Sequence, residues 1–217
     1  MIKKFRELNP SLPFFSVFDK EFLEYGRILD CFDTEAIIAA AEAIPMVELG
    51  TVYTPSEPTF ETLPIAKEIC ERVFGTLPAQ LGYCYGKNSD MNALEWHADS
   101  ELNIAVTPLV LILGKRCEIE DTNKFDSSKV KAFYLPRGTV IECYATSLHY
   151  CPCQTEDGGF RSVVGLPKNT NTPLEIPTSD PLLFAKNKWI IAHEDYEDLT
   201  GRGVIGGIYG VNHKINY

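Results

Sequence analysis

The sequence predicts a mainly β domain of the α+β class, helices first and strands after. Three observations lead there. Amphipathic segments with capping residues cluster in the first third, and from Leu81 onward short β-rich runs alternate with turn residues. The chain also carries neither a GxGxxG nor a GxxxxGK[ST] loop, so a nucleotide-binding parallel sheet has little support. A length of 217 residues fits one generous domain, read as a helical or extended segment over 1–80, a barrel core over 81–165 and a C-terminal extension over 166–217.

Asp33 is placed to cap a first helix in which Ile37, Ile38, Ala41 and Ile44 share a face, ended by Pro45. Thr62 is placed to cap a second, with Pro64 in its first turn and Ile65, Ile69 and Val73 inward before Gly75. Each has a single apolar face, as expected of a helix packed on a sheet. Strands are expected over 81–85, 94–106, 109–113, 132–134, 139–145 and 160–165. Residues 169–181, rich in Thr, Pro and Asn, read as a long loop, and apolar character resumes over 182–192. The glycines from Gly201 to Gly210 read as hairpin turns; without a lysine and a strand-to-helix context they do not make a phosphate cradle.

A net charge of −10 with no Lys/Arg stripe disfavours nucleic acid, whose binding draws on a basic surface. No apolar run approaches the roughly 18 residues of a membrane span, and no signal core follows the charged start, so a cytoplasmic protein is expected. Seven cysteines, scattered singly except for Cys151-Pro-Cys153, read as reduced thiols. Cys151 and Cys153 are either small hydrophobes of a strand or ligands for a soft metal.

The chemistry concentrates in Glu95-Trp-His97-Ala-Asp99-Ser-Glu101 and in His149. Positions 95, 97, 99 and 101 alternate, which on one strand sets four polar groups on one face. That face is either solvated or a metal site, because buried carboxylates repel and a divalent cation neutralises them. Glu95, His97, Glu101 and His149 are the ligands expected for Zn²⁺, Mn²⁺, Fe²⁺ or Ni²⁺. Asp99 competes for the place of Glu101, supports a ligand imidazole, or stands by. Glu142 is the candidate general base, with an outward, exposed position as its alternative. Tyr83, Tyr85 and Tyr144 are expected either to line the mouth and bind a polyhydroxylated ligand or to pack. Arg137 and Lys87 either hold a substrate carboxylate or phosphate or lie at the surface. His193 and His213 lack ligand-like neighbours and read as structural.

These motifs resemble those of the cupin superfamily: His-x-His, three or four residues, Glu; then Gly, five residues, Pro-x-Gly, two residues, His. Here Glu95-x-His97-x3-Glu101 matches the first with a glutamate leading. Gly138, five residues, Tyr144-x-Thr146-x2-His149 matches the second with the proline and inner glycine replaced. The segments Asn92-Ala-Leu-Glu95-Trp-His97 and Thr146-Ser-Leu-His149-Tyr-Cys-Pro152 also resemble a bacterial cupin-like family catalogued as a domain of unknown function. The resemblance covers about 81–165. It implies a double-stranded β-helix barrel with the N-terminal helices packed outside, and it implies His97, Glu101 and His149 as metal ligands with Glu95 in place of a histidine.

Three functions follow. The first is a metal-dependent cupin enzyme acting on a small carbohydrate or sugar acid, with Glu142 moving a proton in an isomerase, epimerase or lyase reaction. The second is a non-catalytic sugar- or metal-binding cupin. The third is a structural barrel. By analogy alone a homodimer is the default assembly.

Overall fold

A computed structural model describes residues 2–217. The chain runs α1 (Ile2–Leu8), β1 (Phe14–Ser16), β2 (Gly26–Ile28), α2 (Glu35–Glu42), β3 (Thr51–Thr54), α3 (Pro58–Glu61), α4 (Pro64–Arg72) and β4 (Ala79–Gly86). There follow β5 (Ala93–Trp96), β6 (Glu101–Ala105), β7 (Leu109–Lys115), β8 (Phe125–Asp126), β9 (Lys131–Leu135), β10 (Val140–Cys143), β11 (Ser147–Leu148), β12 (Cys153–Gln154) and β13 (Phe160–Pro167). The last part holds β14 (Leu183–Ala185), β15 (Lys188–His193), α5 (Glu197–Thr200) and β16 (Gly206–Tyr209).

The strands form three sheets. The largest has the order β2-β10-β6-β13-β4-β3; a second joins β1, β9 and β7 to β11 and β12; the third is β14-β15-β16-β8, with β5 on β15. Leu109, Leu111 and Leu113 of β7 and Phe133 and Leu135 of β9 meet Ile141, Cys143 and Val164 of the large sheet in one apolar core. Their neighbours on the strands turn the other way. Val110, Ile112, Ala132 and Tyr134 pack against Leu94, Ile191 and Ile208 of the third sheet and Phe5 of α1. Helices α2, α3 and α4 cover the outer face of the large sheet, where Ile37, Phe60 and Ile69 meet Leu81, Tyr83, Leu102 and Val163. Burying each such side chain contributes about 1.5–3 kcal/mol. The result is the mainly β fold, with helices packed outside the large sheet, that the sequence predicts.

Several local expectations give way to tertiary structure. Asp33 accepts from the Glu35 N–H, as expected of a residue opening α2. Thr62 instead ends α3, its hydroxyl donating to Thr59 O, and α4 starts on Pro64 without a side-chain cap. The run 94–106 is not one strand. It bends at Ala98–Asp99, so that β5 pairs with β15 and β6 enters the large sheet. The outer segments also supply strands: β1, β2 and β3 pair with β9, β10 and β4.

The glycine run is not hairpin turns alone. Gly206–Tyr209 pairs in parallel with both β15 and β8, and the reversal this needs is made through α5. Gly207 is required there because a Cβ would lie 2.3 Å from Asn123 O and 2.8 Å from Ile191 Cγ2. At Gly203, φ is +88° with open space around it, and asparagine tolerates that conformation. Among the described residues no helix is long and apolar enough to cross a membrane. Gly207→Ala is expected to lower the urea-unfolding free energy by about 1–3 kcal/mol, whereas Gly203→Asn, strained in φ but free of any clash, costs no more than about 1 kcal/mol. Equal, small effects would contradict the close strand approach.

Candidate metal centre

Backbone pairing brings the four ligand candidates together. Glu95 in β5 stands opposite His149 in an antiparallel bridge: the Glu95 N–H donates to His149 O at 2.6 Å, and the His149 N–H donates to Glu95 O at 3.0 Å. His97 follows β5, and the bend after it returns the chain so that Glu101 opens β6 beside Cys143. One ligand atom from each of Glu95, His97, Glu101 and His149 lies within 4.8 Å of all the others, and all four residues are buried.

The hydrogen bonds make this arrangement demand a cation. His97 Nδ1 lies 2.6 Å from Asn187 O, a carbonyl that can only accept, so Nδ1 carries the proton. In the neutral ring Nε2 is then a lone pair, and it faces Glu101 Oε2 at 3.4 Å and Glu95 Oε1 at 4.0 Å. His149 Nε2 faces the same Glu101 oxygen at 3.3 Å. Neither Nε2 finds a hydrogen-bond partner, although both are buried. Acceptor against acceptor in a low-dielectric interior repels unless a proton or a metal ion lies between. Two imidazole nitrogens and two carboxylates form a donor set that fits a divalent ion such as Zn²⁺, Mn²⁺, Fe²⁺ or Ni²⁺.

Neighbouring groups orient these ligands. Glu101 Oε1 accepts from Asn103 Nδ2 at 2.9 Å, and Asn103 Oδ1 accepts from Ser162 Oγ at 3.1 Å, leaving Oε2 to the imidazoles. Glu95 Oε2 pairs with Lys188 Nζ from β15. Burial pushes the Glu101 carboxyl up, but His149 and then His97 outweigh it and hold the group well below the ordinary range. Burial pushes His149 down, but Glu101 outweighs it, and the ring titrates well above its usual value.

The cluster opens on a cavity whose wall includes Tyr53, Cys84, Asn103, Tyr150, Asn171 and Lys188. Other residues singled out in the sequence lie elsewhere, for one reason. Cys143 pairs with Glu101 and faces inward, so Glu142 pairs with Leu102 on the outer face, where its Oε2 meets Arg27 Nε at 2.7 Å. Cys84 faces the cavity, so Tyr83 and Tyr85 turn outward, stacked at 4.6 Å, and the Tyr83 hydroxyl donates to Ala41 O. Tyr144 follows β10 and does not line the cavity. Arg137 pairs with Glu42 at 2.9 Å on the surface, and Lys87 is exposed. Asp99 lies in the bend outside the four-residue group. Cys151 is on the cavity wall, while Cys153 is in the apolar core. His193 and His213 are buried, each with a ring nitrogen beside a backbone carbonyl.

Sequence reasoning missed Asn103, Lys188 and Asn187. Asn103 had a signal, since it lies two residues from Glu101 on the same strand face. Lys188 and Asn187 had none, because a long-range pairing of β15 with β5 brings them in.

Residues 14–213 match the family described as "Domain of unknown function (DUF4867)". The chain belongs to that family. No curated protein matches it. Among solved structures, the chain is similar to salicylate 1,2-dioxygenase from Pseudaminobacter salicylatoxidans at 10% identity, over 61% of this chain and 30% of that one, with a TM-score of 0.30. It is also similar to oxalate decarboxylase from Bacillus subtilis, described with Mn(II) centres, at 12% identity over 46% and 26%, with a TM-score of 0.30. A third similarity is to procruciferin, an 11S globulin from Brassica napus, at 10% identity over 52% and 22%, with a TM-score of 0.30. The DUF4867 chain spans less than a third of each of these proteins.

Two outcomes are expected of this centre. In metal-free protein, the stability contributed by Glu101 is complete above the ordinary 4.5 and disappears as pH falls through its depressed value. That of His149 is complete below the ordinary 6.5 and disappears as pH rises through its elevated value. Urea unfolding of metal-free protein should therefore show a loss of stability above pH 6.5 that His149→Gln abolishes. Saturating Zn²⁺ should reverse that slope, because ligand nitrogens bind deprotonated. An identical alkaline limb in wild type and His149→Gln would contradict the pairing. Separately, Asn103→Ala should weaken Zn²⁺ binding by about 10–100-fold in a chelator competition.

Proposed function

We propose that this protein is a metal-dependent enzyme that acts on a small oxygenated metabolite, a sugar or sugar acid, by proton transfer of the isomerase, epimerase or lyase type. The observation that carries the reading is the pair of buried imidazole lone pairs directed at one carboxylate oxygen, beside a cavity whose lining includes Tyr53, Asn171 and Lys188. A divalent ion held by Glu95, His97, Glu101 and His149 supplies Lewis-acid polarisation of a substrate oxygen.

The remaining roles belong to the chain. Asn171 Nδ2 donates to the Tyr53 hydroxyl at 3.0 Å, which leaves the phenol's own hydrogen for a substrate oxygen. Burial, reinforced by Glu101, pushes Tyr53 up, so it remains a donor at neutral pH. Asn171 Oδ1 is buried without a partner and accepts from a substrate hydroxyl. With Glu142 on the far face of the sheet, the proton moves through Glu95 Oε2, the oxygen of that carboxylate turned away from His97.

One observation favours the second reading, a non-catalytic sugar- or metal-binding cupin. Among the described residues, the carboxylates that line the cavity are the ligands Glu95 and Glu101 themselves. Incubating Mn²⁺-loaded protein with pentoses, hexoses, uronates and their phosphates in D₂O separates the two. The enzyme reading expects NMR to show solvent deuterium entering a carbon position of at least one compound. Glu95→Gln should slow that exchange about 10²–10⁴-fold, and Glu142→Gln should leave it within about twofold. Compounds that bind but never exchange would establish the binder.

A further inference from the structure

Lys188 is the cation on the cavity wall, and its position is prepared. Asn187, at φ +57°, ends the turn between β14 and β15, accepts from the Ala98 N–H through Oδ1 at 2.9 Å and presents its carbonyl to His97. The same turn that fixes a ligand imidazole therefore fixes the lysine beside it. The Lys188 side chain is 16% exposed, pairs with Glu95 Oε2 and lies 5.9 Å from the centre of the Tyr150 ring. An ammonium has three donors, and Glu95 occupies one.

The charged side chains that line the cavity are Glu95, Glu101 and Lys188. With the imidazoles neutral as ligands, two carboxylates against one ammonium and a dication would leave one positive charge among side chains that are themselves mostly buried. A neutral sugar leaves that charge uncompensated, whereas a monocarboxylate balances it. The other wall groups suit hydroxyls: Tyr53 offers a hydrogen and Asn171 Oδ1 an unpartnered acceptor.

Resting on the metal-dependent reading above, we infer that the cavity selects a hydroxylated carboxylic acid, a sugar acid rather than a neutral sugar, and that Lys188 binds its carboxylate. Lys188 is thus a specificity-determining residue, while Tyr53 and Asn171 receive the hydroxyls.

Calorimetry on Zn²⁺-loaded protein tests this with D-glucuronate, D-galacturonate and D-gluconate against D-glucose, D-galactose and D-glucose 6-phosphate. At least one acid is expected to bind about tenfold or more tightly than its neutral counterpart. Lys188→Met should erase that preference while retaining one Zn²⁺ per chain, and Lys188→Arg should keep most of it. Equal binding of acids and neutral sugars overturns the inference, as do preference for the phosphate, an acid preference that survives in Lys188→Met, or no binding of any compound to the loaded protein. The wild-type comparison decides the matter even if Lys188→Met does not fold. A wild-type chain that binds Zn²⁺ but shows no preference for the acids fells this inference alone. A wild-type chain that takes up no Zn²⁺, Mn²⁺, Fe²⁺ or Ni²⁺ fells the metal-dependent reading as well.

Discussion

A single hydrogen bond sets the character of the site. Because the Asn187 carbonyl fixes the proton on His97 Nδ1, the other ring nitrogen meets Glu101 as one acceptor facing another. His149 meets the same oxygen from the opposite strand. Either contact alone could be relieved by a side-chain rotation. Together, buried and held by the reciprocal backbone bridge between Glu95 and His149, they remain in place only with positive charge among them. In metal-free protein Glu101 raises the affinity of His149 for a proton, and a divalent ion held by the same side chains would supply that positive charge instead.

The fold serves this constraint by using all three sheets. The large sheet gives Glu101 and its support from Asn103 and Ser162. The bridge between β5 and the end of β11 gives Glu95 and His149. The third sheet, built largely from the C-terminal extension, gives Lys188 and the carbonyl on His97. The extension is therefore part of the site: β15 closes one side of the cavity and puts a cation there.

The strands were legible because apolar alternation and turn residues are local signals, and Ile37, Ile38 and Ala41 marked α2 for the same reason. The ligands were legible because carboxylates and imidazoles at cupin-like spacing are rare in a strand-rich segment. Which side of a strand faced the site was not legible. The large sheet is buried on both faces, against the second sheet and against the helices, so β4 shows no alternation between buried and exposed positions. Without that contrast Tyr83 and Glu142 look as inward as Cys84 and Cys143, and a one-residue difference in parity reverses the assignment. The apparent run of four polar groups on one strand face between Glu95 and Glu101 was also deceptive. A bend at Asp99 separates two strands, and convergence comes from their pairing with others. Lys188 lay beyond any local signal, since nothing near residue 188 announces a partner near residue 95.

The most direct test is a crystal of the full chain grown with Mn²⁺ and an anomalous difference map recorded at the manganese edge. The account predicts one strong peak per chain, surrounded by carboxylate oxygens of Glu95 and Glu101 and by Nε2 of His97 and His149. A map without a peak among these four side chains, with their imidazoles left against the Glu101 carboxylate as they stand, would contradict it.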